Sequence, residues 1–339
     1  MTTNRVGNRS LIKSSRFSAY LPRRLSLAVL AAAMAHAGQA QATDWLSLVW
    51  QNDLFAGRDG GGYTNGLFVS VYQVADAEPI DEPLFTKPLN WMLNDSFDLA
   101  FNEHTVGQAM VTPADISKPV PDPNDVPYAG LLIYRASRVL VDDNIADMVR
   151  TTIGVVGPAS LAEQTQKFIH KVVGSAEPKG WDYQLENEPV FALRRARVWR
   201  YELSAMSDVV LLAQARAGNL ESAVGGGAIV RFGRGLANSF ATTLLQQGRT
   251  SSPAAVESGW YVYGGFETDY VFNNILVNGN SYRDSPSSDL RHEQLSFTAG
   301  VSYAWDSLSL TFGYKSGTKL DTHDSSRDNF GTLSVAWKL

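Results

Sequence analysis

Apolar and polar positions alternate one by one over much of this chain. At 46–53, Leu46, Leu48 and Trp50 share one face, and Ser47, Gln51 and Asp53 share the other. At 67–72, Leu67, Val69 and Val71 alternate with Phe68, Ser70 and Tyr72. A period of two is that of a β-strand whose two faces meet different surroundings. The pattern is cleanest near the C-terminus, where Leu295, Phe297, Ala299, Val301, Tyr303 and Trp305 alternate with Ser, Thr, Gly and Gln. Leu308, Leu310, Phe312 and Tyr314 form a second such face, and Leu333, Val335, Trp337 and Leu339 a third. Further strands are expected over roughly 97–111, 128–140, 147–157, 190–201, 205–217, 222–233 and 259–272. Together these make about twelve, an even number as in bacterial outer-membrane barrels.

Alternation alone also suits a soluble sandwich; the residue types on the two faces separate the cases. The apolar faces end in aromatics (Tyr303-Trp305, Phe312-Tyr314, Trp337), while the opposite faces carry Ser, Thr, Gly and Gln and predict a polar lumen. Closing the sheet removes the unpaired edges that hydrocarbon does not tolerate. The expected fold is all-β, a transmembrane antiparallel barrel of about twelve strands, with one short helix in an extracellular loop. The last residue, Leu339, departs from the Phe that often ends such chains but keeps an apolar group on the lipid face.

The first 42 residues read as a signal peptide, leaving 43–339 as the barrel domain. Arg5, Arg9, Lys13, Arg16, Arg23 and Arg24 precede any acid, and Leu25–Ala35 is an apolar run too short to span comfortably. Ala40-Gln41-Ala42 fits a peptidase site, as does Ala35-His36-Ala37; cleavage after Ala42 is expected over a retained anchor helix. Export of this kind puts the barrel in the outer membrane. The net charge of −5 gives no reason to expect nucleic acid, and with no cysteine there is neither a disulfide framework nor thiol chemistry. A monomer is expected.

Residues 158–174 break the strand pattern. Ser160 and Glu163 have capping-box spacing, and Gly174 is a C-terminal stop. Leu161, Thr165, Phe168, Ile169 and Val172 form one helical stripe, expected to pack the helix down and leave His170 on the polar face.

Four groups of residues could carry chemistry. Asn52, Asp53 and Thr64 gather at a hairpin end and offer oxygens to a hard cation, although Asn, Asp and the Gly60-Gly61-Gly62 run equally suit a plain turn. His170, followed by the hydrogen-bonding run Trp181–Glu188, could activate a water as a general base; a solvated histidine is the plainer reading. Lys118 lies in a polar, Pro-containing loop and reads most simply as solvated. Arg195 and Arg197, in a cluster with Arg194 and Arg200, could bind lipid phosphates or pair with lumen acids. No GxSxG elbow, HExxH or P-loop is present.

These residues resemble the outer-membrane lipid A 3'-O-deacylase family over nearly the whole mature region. The resemblance rests on Asn52-Asp53 with YTNG at 63–66, QAMVTP at 108–113, VVGPAS through IHKVVG at 155–174, and WDYQLEN at 181–187. It implies a twelve-stranded barrel that hydrolyses the 3'-linked acyl or acyloxyacyl chain of lipid A in lipopolysaccharide. The active site would lie between the outer end of the wall and a loop helix, facing the outer leaflet. It further implies Ca²⁺ as cofactor near Asn52 and Asp53, His170 as the base, and Thr64 and Lys118 in the active site. Two other readings compete: a catalytically silent barrel acting as a pore or structural protein, and an outer-membrane phospholipase with a Ser–His pair.

Overall fold

Twelve strands pair antiparallel in chain order and β1 pairs with β12, so the sheet closes without a free edge. The computed structural model describes residues 43–56, 61–76, 80–94, 96–245, 259–305, 307–323 and 326–339; the expected signal segment 1–42 lies outside them. The strands are β1 (Trp45–Asn52), β2 (Gly62–Asp76), β3 (Leu99–Thr112), β4 (Ala129–Asp142), β5 (Ile145–Val156), β6 (Glu188–Ser204), β7 (Ser207–Ala217), β8 (Glu221–Arg234), β9 (Gly259–Asn274), β10 (Glu293–Trp305), β11 (Leu308–Thr318) and β12 (Arg327–Lys338). Each lies within a few residues of its expected position.

Both ends of the described chain meet at one end of the barrel, where Leu339 N–H donates to Asp44 O at 2.9 Å. Short turns at 143–144 and 205–206 mark this as the periplasmic end. The loops at 113–128 and 157–187 crown the opposite rim.

The lumen is not polar throughout, as the sequence suggested. Its periplasmic half is a packed apolar core in which Trp45, Tyr72, Phe101, Met148 and Val210 enclose Phe240 and Ala241. The last two belong to helix Leu236–Leu245, which folds back into the barrel. Polar groups there come in closed sets. Asp208 accepts from Arg231 Nε (2.9 Å) and Arg200 Nε (2.7 Å), and Glu103 pairs with Arg150 at 2.9 Å. Toward the rim the lumen turns polar, lined by Arg216, Glu267, Asp269 and Lys315. The Gly225 and Gly227 positions make room there: a Cβ on Gly225 would lie 2.0 Å from Asp269 Oδ1.

The barrel exterior holds an element that alternation did not reveal. Segment 80–94, between β2 and β3, lies against the outer wall of β3–β6. Asn102 Nδ2 donates to Asp81 O (2.7 Å), Thr151 Oγ1 to Phe85 O (2.6 Å), and Arg197 Nη2 to Asn94 Oδ1 (3.1 Å). Phe85 meets the outward ring of Tyr134 edge-on at 5.8 Å. The segment buries Leu89 and turns Leu84 and Trp91 outward, the latter 78 % exposed. Polar groups on the membrane side of the wall are thereby covered by the protein's own backbone.

Candidate active site

A bulge in β2 sets up the rim. Its pairing with β3 slips between Tyr63 and Asn65, leaving Thr64 as the extra residue. Tyr63 points into the lumen, with its hydroxyl on Gln51 Oε1 and its ring 5.0 Å from that of Phe330. The slip turns both Thr64 and Asn65 outward. Thr64 Oγ1 lies 2.7 Å from Thr112 Oγ1, and Asn65 Oδ1 accepts from Trp50 Nε1 at 3.2 Å. Asn52 stands opposite Asn65 in the β1–β2 ladder, and Asp53 follows at once in a one-turn 3-10 helix. These four residues are each at most 5 % exposed, so their oxygens are screened from bulk water.

The donor set comprises one carboxylate, two amides and a hydroxyl. All are hard oxygens, which fits a calcium-type cation. Among the described residues there is no cluster of three or more His, Cys, Asp and Glu side chains of metal-binding geometry. Any ion here would therefore depend on neutral oxygens and ligand atoms beside Asp53.

The expected helix forms as α1 (Ala162–Val173) and ends at Gly174, whose φ of 75° suits glycine. Its start and its packing differ from expectation. Ser160 belongs to a 3-10 turn, Pro158–Ser160; its hydroxyl donates to Gly157 O (2.6 Å) and accepts from Ala162 N–H (3.3 Å). Glu163 pairs with Lys167 at 2.8 Å, so no capping box closes. Gly157 opens this turn at φ 98°, where a Cβ would lie 2.6 Å from the Glu186 carbonyl carbon.

The apolar stripe does not pack α1 down. Ala162, Gln166 and His170 face the wall, and Phe168 and Val172 face away. The reason is the closeness of the approach. The outer wall of β4 presents Gly130, where even a Cβ would lie 2.4 Å from Ala162 Cβ and 2.2 Å from Ser160 Oγ. Only a small side chain passes there. Polar groups beside it find partners: Gln108 Nε2 donates to Ser160 O (2.6 Å), and Trp181 Nε1 to Gln166 Oε1 (2.7 Å). Met110, Ile116, Tyr128, Ala162 and Trp181 then join wall, helix and the 113–128 loop in one cluster. Burial pushes the Tyr128 phenol up to about 12, so it remains a protonated packing group.

His170 is buried on the wall side of α1, and its Nδ1 lies 2.6 Å from Ala176 O. A carbonyl oxygen only accepts, so Nδ1 carries a proton, and the neutral ring presents its lone pair at Nε2. One turn earlier, Gln166 is 2 % exposed and its Nε2 has no hydrogen-bond partner among the described residues. A buried donor without a protein partner is open to a water or to a ligand group. Neither Gln166 nor Asn65 stood out in the sequence; the only hint of either was the QTQKFIH and YTNG context.

The structure thus brings Asn52, Asp53 and Thr64 together, and links them through Thr112 and Met110 on β3 to the strand face that α1 covers. Lys118 lies on the adjoining 113–128 loop, half exposed and 3.7 Å from Asp115. Ser117, through its hydroxyl and its backbone N–H, holds the Asp115 carboxyl below its ordinary range, and Lys118 adds to this. Arg195 and Arg197 are not brought to the rim. They sit on the outer wall of β6, both paired with Asp147, which lies near the periplasmic end of β5. Arg194 and Arg200 point the other way, into the lumen, on Gln214 and Asp208.

A closed antiparallel barrel with an exposed apolar exterior and a polar cluster on the outer face of one rim defines the class: an outer-membrane β-barrel protein with its site on the wall rather than in the lumen. Residues 25–339 match the family model described as outer membrane protein LpxR, and the chain belongs to that family. LpxR from Salmonella typhimurium superimposes with a TM-score of 0.71 at 17 % identity, over 87 % of this chain and 100 % of that one. That likeness shows the shared fold. The KdgM porin (TM-score 0.36, 8 % identity, 87 % and 99 % of the two chains) and the β domain of the Bordetella autotransporter BrkA (0.43, 11 %, 87 % and 98 %) are more distant barrels. No curated protein matches the chain.

Proposed function

We propose that this protein is a calcium-dependent lipid A deacylase that hydrolyses a 3'-linked acyl ester from the outer-leaflet side of the membrane. LpxR family membership supports the substrate and the reaction class. The observation that carries the chemistry is the orientation of His170: it is buried against the outer wall, and with its Nδ1 proton held by Ala176 O, Nε2 is the nitrogen left to act as base. In this scheme His170 takes a proton from water at Nε2 as the water oxygen bonds to the acyl carbon. It then returns the proton to the sugar oxygen when the ester C–O bond breaks. The Ala176 carbonyl steadies the imidazolium through Nδ1–H. Gln166 Nε2 offers a hydrogen bond to the developing oxyanion. Asn52, Asp53 and Thr64 would hold Ca²⁺, which supplies Lewis-acid polarisation of the ester carbonyl when bound. Lys118, exposed on the adjoining loop, is a cation available to a lipid A phosphate. No second copy of the chain is required.

A passive pore is disfavoured by the apolar core around Phe240, which fills the periplasmic half of the lumen. A Ser–His hydrolase draws no support, since among the described residues no serine hydroxyl is hydrogen-bonded to His170, whose one side-chain partner is the Ala176 carbonyl. The test is expression in a bacterium lacking the activity, with lipid A mass spectra recorded with and without calcium chelation. Loss of one acyl or acyloxyacyl mass that chelation prevents is expected. Unchanged lipid A beside a correctly folded barrel would overturn the reading.

A further inference from the structure

Among the described residues nothing covers Leu161, Phe168 and Val172 of the α1 stripe. Phe168 is 68 % and Val172 69 % exposed, and Leu161, just before the helix, is 41 % exposed. At 3.6 residues per turn, Phe168 lies about 160° round the helix from Gln166, which faces the wall. The stripe therefore points straight away from the barrel. The helix begins level with the lipid-facing belt: Trp50, Leu67 and Gln108 pair in one ladder row, and Gln108 bonds the Ser160 carbonyl at the start of the helical segment. Trp50 and Leu67 are themselves exposed on the outer wall, so the stripe continues their surface. Lys171, and Lys167 in its pair with Glu163, border one side of the stripe, the pattern of a helix lying in an interface with apolar groups among acyl chains and charged groups at the headgroup level.

From this geometry we infer that α1 is seated in the outer leaflet of the membrane, its Phe168–Val172 face among lipid acyl chains. The helix is held on one side by the wall at Gly130 and on the other by the bilayer. His170 then sits on the protein side of an element that lipid presses into place, within reach of esters buried at the acyl–headgroup boundary. This seat depends on the barrel's place in the membrane and not on the hydrolase reading.

The chain contains no cysteine, so a single introduced one takes a label uniquely. Phe168→Cys and Val172→Cys, each carrying a nitroxide, would be reconstituted as the exported barrel in vesicles containing phosphatidylglycerol. Asp122→Cys, on the exposed 113–128 loop, is the aqueous control. The expected result is loss of collisions with a water-soluble nickel chelate at 168 and 172 relative to 122, with a gain in collisions with oxygen. Chelate accessibility at both positions equal to that at 122 would overturn the proposal. Because both sites are surface positions, the heat-modifiable gel shift suffices to confirm folding. A membrane-shielded pair of labels on a chain that leaves lipid A intact would uphold the seat while sinking the deacylase.

Discussion

His170 and Gln166 share the wall face of one helix, yet they ask different things of their neighbours. Ala176 O fixes the tautomer of the histidine, whereas the glutamine has its oxygen satisfied by Trp181 and its nitrogen free. His170→Ala should abolish the loss of acyl mass from lipid A while the gel shift of the folded barrel persists. Gln166→Leu removes a buried donor with little change in volume. If Gln166 contacts the oxyanion, turnover should fall by about 10²–10³-fold while the folded barrel keeps its gel shift, the Trp181 N–H left without its acceptor costing about 1–3 kcal/mol of stability; an unaltered rate would reduce Gln166 to a support for Trp181. The sequence suggested both the His170 base and the Asn52–Asp53 oxygens. It suggested neither Gln166 nor Asn65, because their orientations come from a long-range contact and from a one-residue bulge, and neither leaves a periodic trace.

At the scale of elements, the strands were legible because a two-sided sheet between lipid and lumen imposes period two at every step. The helix was legible in position but read inside out. The spacing alone predicts a stripe that faces the protein, since an amphipathic helix of a soluble fold buries its apolar side. Beside a membrane that rule reverses, and the contact at Gly130 admits only Ala162. Gly130→Leu should therefore push α1 off the wall. The expected outcome is a folded barrel without deacylation and with segment 157–187 newly sensitive to protease; retained activity would show that the helix is not held there. The segment at 80–94 was illegible for a related reason: its polar backbone oxygens are satisfied by side chains of strands distant in sequence.

For the whole molecule, the lumen decides between channel and scaffold. Purified barrel in a planar bilayer should show no steady conductance; a stable open pore would contradict the core built around Phe240. The same interior sets stability. Asp208 is fully buried between Arg231 and Arg200, and Asp208→Asn would leave the buried Arg231 without its counter-charge and Arg200 with only the exposed Glu202. Breaking such a buried set costs about 3–5 kcal/mol, visible as a lower urea midpoint in vesicles. The strap at 80–94 bears on the molecule's life among its neighbours. With β3–β6 padded by polypeptide and no other described segment strapped along the remaining circumference, the barrel is not interchangeable under rotation about the membrane normal. In a crowded outer membrane it has a heading: lipids and other barrels can wet or abut the bare flank, while the padded flank keeps them a chain's thickness away. Neighbours drawn to the exposed Trp91 would meet a different molecule from those that slide along β9 to β11.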